Sequence, residues 1–362
     1  MESRYARQEA LPFIGKEGQE NIRKSSVAIV GCGALGSVAA ELLCRSGVGE
    51  LMLIDHDIVE RTNLQRQSLY TEQDVDKPKV EALAKHLREI NSDVTITAKP
   101  LHLAASSIML LDNVDCIIDG TDDVDTRLII NEYAKKTDTP WIYGGAIAER
   151  GFVYAVTKDA PCFACVFPRI EQGESCEEYG ILNSTSHIVG SLQSLECIKI
   201  LIGKQATKGL IRINALGPMI ETLTVKKNPA CKVCKGEFSL LNRRATDSPK
   251  KRSGAMRGAT RQAETGATKK KLTLNLTHDF TIQKCKTRAG WSARPIRSTK
   301  LDLAKIKKKF TIVLDTPILI VIRKDGVVGD IIIHNYGEIL FKELADEKII
   351  RAIAAEIYEA AT

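Results

Sequence analysis

The chain has 362 residues, 44% hydrophobic and 27% charged, with a formal net charge of +7 at pH 7. Single cores rarely grow that large, so two domains are expected, and the composition is that of an ordinary globular protein rather than a fibrous or disordered one. No run approaches the ~18 unbroken apolar residues of a membrane span. The first 24 residues are charged throughout with no apolar signal core, so a cytoplasmic location is expected and a membrane partner is not.

The first 240 residues alternate strand and helix. Residues 27–30 read as a short apolar strand feeding a helix over 34–46, and 51–54 as a second strand ending in Asp55. Val80, Leu83, Leu87 and Ile90 fall on one face of a helix over 79–90. Strands follow at 94–98 and 116–118, then a helix over 125–136 and strands at 141–143 and 152–156. A long apolar helix over 188–202 precedes a closing hairpin, 210–214 with 220–225. This alternation predicts an α/β fold: a Rossmann-like, mainly parallel sheet with helices on both faces and antiparallel strands added late. Ligands in such sheets bind outside the carboxyl ends of the strands, where Asp55 and Asp122 fall.

Residues 242–271 hold ten Lys or Arg and two acids, a net +8 that leaves the rest of the chain near −1. The segment is rich in Ser, Thr, Gly and Ala and has no aromatic residue. It reads as a disordered linker and a solvated tether, with a weak electrostatic foothold on RNA or an acidic partner as the lesser option. No specific nucleic-acid surface is expected on the folded part. Beyond it, 272–276 and 280–284 read as a hairpin, 301–309 as a short helix, 318–322, 329–333 and 339–341 as strands, and 346–360 as a helix with apolar Ile349, Ile350, Ile353 and Ile357. The domains are therefore 1–241, a linker over 242–271, and a small α+β domain over 272–362.

Residues 27–36 run Val-Ala-Ile-Val-Gly-Cys-Gly-Ala-Leu-Gly, a strand entering a glycine-rich turn and a helix, the usual cradle for a nucleotide pyrophosphate. Gly31, Gly33 and Gly36 let the backbone approach it. Asp55, 19 residues past Gly36, suits ribose hydroxyls. A nicotinamide cofactor needs little more, whereas the triphosphate of ATP calls for basic groups and a carboxylate for Mg²⁺. Arg66, Lys79 and Asp122 meet that need. Asp57 and Asp119 read as turn or cap residues.

Ten cysteines in a reducing compartment do not form a disulfide framework. Cys32, Cys44, Cys116, Cys197 and Cys285 stand singly in apolar surroundings and read as core residues. Cys162 and Cys165, with Cys231 and Cys234, form two C-x₂-C knuckles whose four thiolates suit a closed structural zinc site, against redox cysteines or unliganded thiols.

Several motifs occur in order: Arg4-Tyr5-Ala6-Arg7-Gln8, the glycine turn, Leu53-Ile54-Asp55-His56-Asp57, Asn63-Leu64-Gln65-Arg66-Gln67, Lys77-Pro78-Lys79-Val80-Glu81, Thr121-Asp122 and Gly190-Ser191-Leu192-Gln193. Together they resemble the MoeB/ThiF superfamily, enzymes that activate ubiquitin-like proteins, over residues 1–238. The resemblance implies that ATP adenylates the C-terminal glycine carboxylate of a small β-grasp protein ending in Gly-Gly. It implies that Asn63, Arg66 and Lys79 line the phosphates, that Asp122 binds Mg²⁺, and that the cysteine quartet holds Zn²⁺. Arg7 would reach the partner's ATP across a homodimer. Cys176 matches the position of a nucleophilic cysteine that captures the activated carboxyl as a thioester; the alternative is an idle loop thiol, and Glu174, Glu177 and Glu178 oppose its ionisation. The superfamily usually has Asn where this chain has Asp123. The order of elements after the linker is similar to a β-grasp, ubiquitin-fold domain, which favours transfer to a conjugating enzyme. The alternatives are a MoaD/ThiS-type sulfur-carrier adenylyltransferase without conjugation, and an enzyme like the tRNA threonylcarbamoyladenosine dehydratase.

Overall fold

A computed structural model describes residues 3–167, 180–242, 280–285, 290–295, 301–315, 319–324, 326–335, 337–342, 344 and 346–361. They divide into two compact units, Met1–Asn242 and Arg243–Thr362. The basic linker lies outside the described residues from 243 onward, as does Cys176.

In the first unit, helices α1 (Ala6–Glu9) and α2 (Gly15–Lys24) precede a βα alternation. It comprises β1 (Ser26–Val30), α3 (Ala34–Ser46), β2 (Glu50–Asp55), α4 (Lys79–Ile90), β3 (Thr95–Pro100), β4 (Cys116–Asp119), α5 (Val124–Thr137) and β5 (Trp141–Ile147). Then come β6 (Arg150–Val156), the short α6 (Phe163–Val166), α7 (Asn183–Leu201), β7 (Leu210–Asn214) and β8 (Met219–Leu223). The sheet order is β3-β2-β1-β4-β5-β6-β7-β8. β1 to β5 pair in parallel, and each pairing from β5·β6 onward is antiparallel.

Alternation within the strands builds the two cores. Val27 and Ile29 of β1 face one side with Leu51, Leu53 and Ile118, against Leu35 and Ala39 of α3, Leu83 of α4 and Val189 of α7. Ala28 and Val30 face the other with Ile54 and Ile117, against Ile130 and Tyr133 of α5. A strand buried on both faces cannot alternate apolar with polar, which is why β1 and β4 read as continuous apolar runs. Cys32, Cys44, Cys116 and Cys197 are fully buried; the side chain of Cys285 lies outside the described residues.

The second unit holds β9 (Phe280–Cys285), β10 (Gly290–Pro295), α8 (Leu303–Lys307), β11 (Thr311–Asp315), β12 (Leu319–Arg323), β13 (Ile331–His334), β14 (Ile339–Lys342) and α9 (Glu347–Ala361). The order is β11-β12-β13-β14-β10-β9, and each described pairing is antiparallel. Ile320, Ile322, Ile331, Ile333, Ile339 and Phe341 form one core with Ile350, Ile353 and Ile357 of α9, and half-buried Trp291 packs on it.

The β-grasp expectation rests on element order, and the strand it needs over 272–276 lies outside the described residues. Two expectations change here. The hairpin expected over 272–284 has its first strand outside the described residues, while β9 pairs with β10, a strand whose Gly-Trp-Ser-Ala-Arg-Pro sequence has no period-2 apolar pattern. Ile349 is 45% exposed, because the buried stripe of α9 runs through Ile350, Ile353, Ala354, Ile357 and Tyr358.

Candidate active site

Strand order reverses between β1 and β4, the point at which a parallel sheet opens a crevice at its carboxyl edge. Gly31 there has φ +86°, and a side chain on it would collide with the Gly120 backbone, as one on Gly36 would with the carbonyl of Gly31. The chain's own packing demands those two glycines. Gly33 differs, since the nearest atom to a Cβ on it would be Gln67 Nε2 at 3.6 Å. That space is not filled by protein, and it lies at the N-terminus of α3, whose first N–H groups lack intrahelical acceptors. The turn suits a phosphate group.

Asp55 closes β2 with both oxygens engaged: Oδ2 accepts from the Cys32 N–H (2.7 Å) and Oδ1 from the Asp57 N–H (2.8 Å). Each oxygen keeps a further lone pair for a hydroxyl donor. Tyr70 O–H donates to the carbonyls of Cys32 (2.7 Å) and Lys79 (3.4 Å), tying the glycine turn to the start of α4. Lys79 is 6% exposed, with Nζ 3.3 Å from Asp57 Oδ2. Asp57 is thus the acidic partner of Lys79 rather than a cap. The ligand atoms of Asp55, His56 and Asp57 lie within 4.8 Å of one another, but an ammonium already occupies Asp57 and backbone N–H groups occupy Asp55, so the trio is a poor cation site.

Asn63 and Arg66 share one turn, in which the N–H groups of Arg66 and Gln67 both donate to the Asn63 carbonyl (3.1 and 3.0 Å). Gln67 Nε2 donates to Asn63 Oδ1 (3.2 Å), while Gln67 Oε1 is buried without a partner among the described residues. Arg66 Nη1 donates to the Thr62 carbonyl (3.0 Å). Arg7 is not brought to this edge within the chain. Its neighbour Gln8 donates to the carbonyl of Ser46 at the C-terminus of α3 (3.1 Å), a helix about 20 Å long at 1.5 Å per residue, with the glycine turn at the other end.

Asp122 follows β4, exposed and without a hydrogen bond or ion pair among the described residues. The preceding turn is tightly held. Asp119 is fully buried, and its Oδ1 accepts from the Thr121 N–H (2.8 Å) and hydroxyl (2.7 Å). Its Oδ2 lies 3.1 Å from Arg127 Nε. Burial pushes the Asp119 carboxyl up, and Arg127 and Thr121 oppose that. Asp119 is therefore more than a turn residue, and Arg127 is a site neighbour that the sequence analysis missed. The signal available was only its placement one helical turn past Asp123. Asp123, the departure from the superfamily pattern, caps α5: Oδ2 accepts from the Thr126 N–H (2.9 Å) and hydroxyl (2.5 Å). Burial raises its pKa, but the Thr126 bonds outweigh burial and hold it below the usual carboxylate range. Asn and Asp are equivalent in that task.

The knuckles meet in space. Cys162 Sγ lies 3.8 Å from Cys165 Sγ and 3.4 Å from Cys231 Sγ, and Cys165 Sγ lies 3.6 Å from Cys234 Sγ. Four sulfurs at ~2.3 Å from one ion in a tetrahedron stand about 3.8 Å apart, so the quartet fits zinc. Behind it, fully buried Trp141 packs on Phe163, ring centroids 5.3 Å apart. Two buried groups on α5 serve this region: Asn131 Oδ1 accepts from the Phe163 N–H (2.8 Å), and Glu132 accepts from the N–H groups of Leu240 (2.8 Å) and Leu241 (3.1 Å).

The sequence profile of the ThiF family matches residues 5–233, well over half of the chain. The chain belongs to the ThiF family. This ThiF-family chain is 38% identical over 210 residues to the sulfur carrier protein ThiS adenylyltransferase of Bacillus subtilis, a match covering 57% of this chain and 62% of that one. A sulfur carrier protein adenylyltransferase of Thermus thermophilus is 35% identical over 246 residues, 65% of this chain and 91% of its own length. The SAMP-activating enzyme E1 of Haloferax volcanii is 32% identical over 237 residues, covering 64% and 88%. Among solved structures, Escherichia coli MccB superposes with a TM-score of 0.58 at 23% identity over 64% of this chain and 75% of its own, a likeness of fold. No described helix is long and apolar enough to cross a membrane.

Proposed function

We propose that this ThiF-family chain adenylates the C-terminal carboxylate of a small sulfur-carrier-type protein ending in Gly-Gly. The observation that carries it is one sheet edge bearing the glycine turn, the clipped Asp55, the Asn63–Arg66 turn, buried Lys79 and exposed Asp122. Two of the relatives are named as sulfur-carrier adenylyltransferases. Their names support the sulfur-carrier reading over transfer to a conjugating enzyme. A tRNA substrate has no comparable support, since the basic excess falls in 242–271.

Asp55 orients the ribose, the α3 N-terminus and the Asn63–Arg66 turn receive the phosphates, and Lys79 shares its charge between Asp57 and the triphosphate. Asp122 would hold Mg²⁺, which would supply positive charge against the leaving pyrophosphate. A carboxylate oxygen of the carrier attacks the α-phosphorus and pyrophosphate leaves. Arg7 acts across a homodimer, and the cysteine quartet holds structural Zn²⁺. Cys176 is the acceptor of the acyl group: its thiolate attacks the acyl-adenylate and AMP leaves.

Intact-mass spectrometry without reductant tests this on a mixture of the chain, ATP, Mg²⁺ and a Gly-Gly-ending carrier. Adenylated carrier is the expected product. An enzyme adduct that dithiothreitol removes and Cys176→Ala abolishes supports the thioester step, and adenylate without adduct refutes that step alone. No adenylate with any Gly-Gly carrier refutes the proposal.

A further inference from the structure

Buried ion pairs are poor stabilisers for their cost in desolvation, which makes the Asp119–Arg127 pair in need of an explanation beyond stability. Arg127 has a 14% exposed side chain, its Nε lies 3.1 Å from Asp119 Oδ2, and its ring-like plane lies over Tyr143, 4.9 Å from the centroid. Its Nη2 donates to two carbonyls: that of Thr121 in the turn after β4, and that of Gly144 within β5 at 3.1 Å. Thr121 is therefore gripped at its N–H and hydroxyl by Asp119 and at its carbonyl by Arg127. The residue that follows is Asp122, which makes no hydrogen bond or ion pair among the described residues and stands within the electrostatic reach of Arg127. From below, Gln193 of α7 donates to the Asp119 and Ile142 carbonyls (2.7 and 3.1 Å), fixing the end of β4 against β5.

We propose that Arg127 is a positioning residue for the divalent cation: its fork fixes the Thr121 carbonyl between Asp119 and Gly144, and so fixes the direction from which Asp122 meets Mg²⁺. A guanidinium does this because its planar set of donors serves three acceptors at fixed angles, whereas an ammonium keeps the charge but not the geometry. The inference rests on the adenylation reading, because that reading supplies the cation.

Arg127→Lys isolates the claim, since it leaves Asp119 opposite a cation. Mn²⁺ binding to the full chain with a non-hydrolysable ATP analogue is measured by electron paramagnetic resonance, beside analogue affinity without metal. Loss of a partner that orients a metal ligand costs about 10–100-fold in metal affinity. The expected result is a drop of that size for Mn²⁺, with metal-free analogue affinity within about twofold of wild type. Mn²⁺ affinity of Arg127→Lys equal to wild type overturns the role of Arg127 while leaving the adenylation reading intact. A wild-type chain that binds no Mn²⁺ with the analogue overturns the reading beneath it. Should Arg127→Lys not fold, Thr121→Val removes one Asp119 bond while leaving Arg127 in place, and is expected to lower Mn²⁺ affinity in the same direction; unchanged affinity there also overturns the proposal.

Discussion

Lys79 and Asp74 show how a single buried charge acts in this chain. Lys79 is nearly inaccessible, and its ammonium reaches Asp57 on the loop after β2. Replacing it with Met leaves the volume and removes the charge that the proposed function sets against the phosphates. Loss of one such preorganised donor costs about 10²–10³ in rate, so ATP–pyrophosphate exchange should fall by that factor while the far-ultraviolet circular dichroism stays unchanged. Asp74 is 2% exposed and accepts from the Thr71 N–H and hydroxyl (both 2.9 Å) and from His86 Nε2 (2.8 Å). Burial raises its carboxyl, but those donors outweigh burial and depress it. A depressed folded pKa gives stability that is fully present above the unfolded value of about 3.9 and is lost as pH falls through the folded value. Urea unfolding should therefore show wild type losing stability below about pH 4 where Asp74→Asn, already weaker by about 1–3 kcal/mol at pH 7, loses less. Parallel pH profiles for the two chains would remove this account.

At the scale of elements, the cysteine quartet joins α6 to a segment nearly seventy residues later, so a metal bound there would close a long loop. Cys231→Ser should abolish one equivalent of bound zinc in a metal assay and lower the melting temperature of the first unit; a melting temperature unmoved by a strong chelator would show that the ion carries no stability. What was legible in the sequence follows from the same physics. Strands β1, β2 and β4 are buried on both faces and end in glycine or aspartate, so their runs stand out. The knuckles stand out because C-x₂-C spacing has few other uses. Asn183 to His187 are polar and helical, and the helix expected from 188 in fact begins at Asn183, where the Ser186 hydroxyl donates to the Asn183 carbonyl. Arg127 was illegible because its three acceptors come from positions 119, 121 and 144, a meeting made only by the sheet. Likewise the turn expected at Asp57 proved to be a charge partner for a lysine 22 residues on.

At the scale of the whole molecule, the two units each have a core of their own. A chain cut after Asn242 keeps the sheet, both cores, the quartet and the Leu240 and Leu241 donors to Glu132, and should retain carrier-dependent exchange within about twofold, a change of under 0.5 kcal/mol. A cut after Pro229 removes Cys231 and Cys234 and strands a carboxylate that is 3% exposed, and should yield little soluble protein. Equal yields of the two fragments would refute the assignment of that boundary. The chain contains only two tryptophans, and they are shared out one to each unit: Trp141 sealed beneath the quartet, Trp291 on the second sheet. Each half of the protein thus carries a private fluorophore. The Trp141 indole N–H has no acceptor among the described residues, so Trp141→Phe sacrifices no hydrogen bond and leaves emission that reports on the C-terminal unit alone, while Trp291→Phe leaves a lamp lit only in the N-terminal unit.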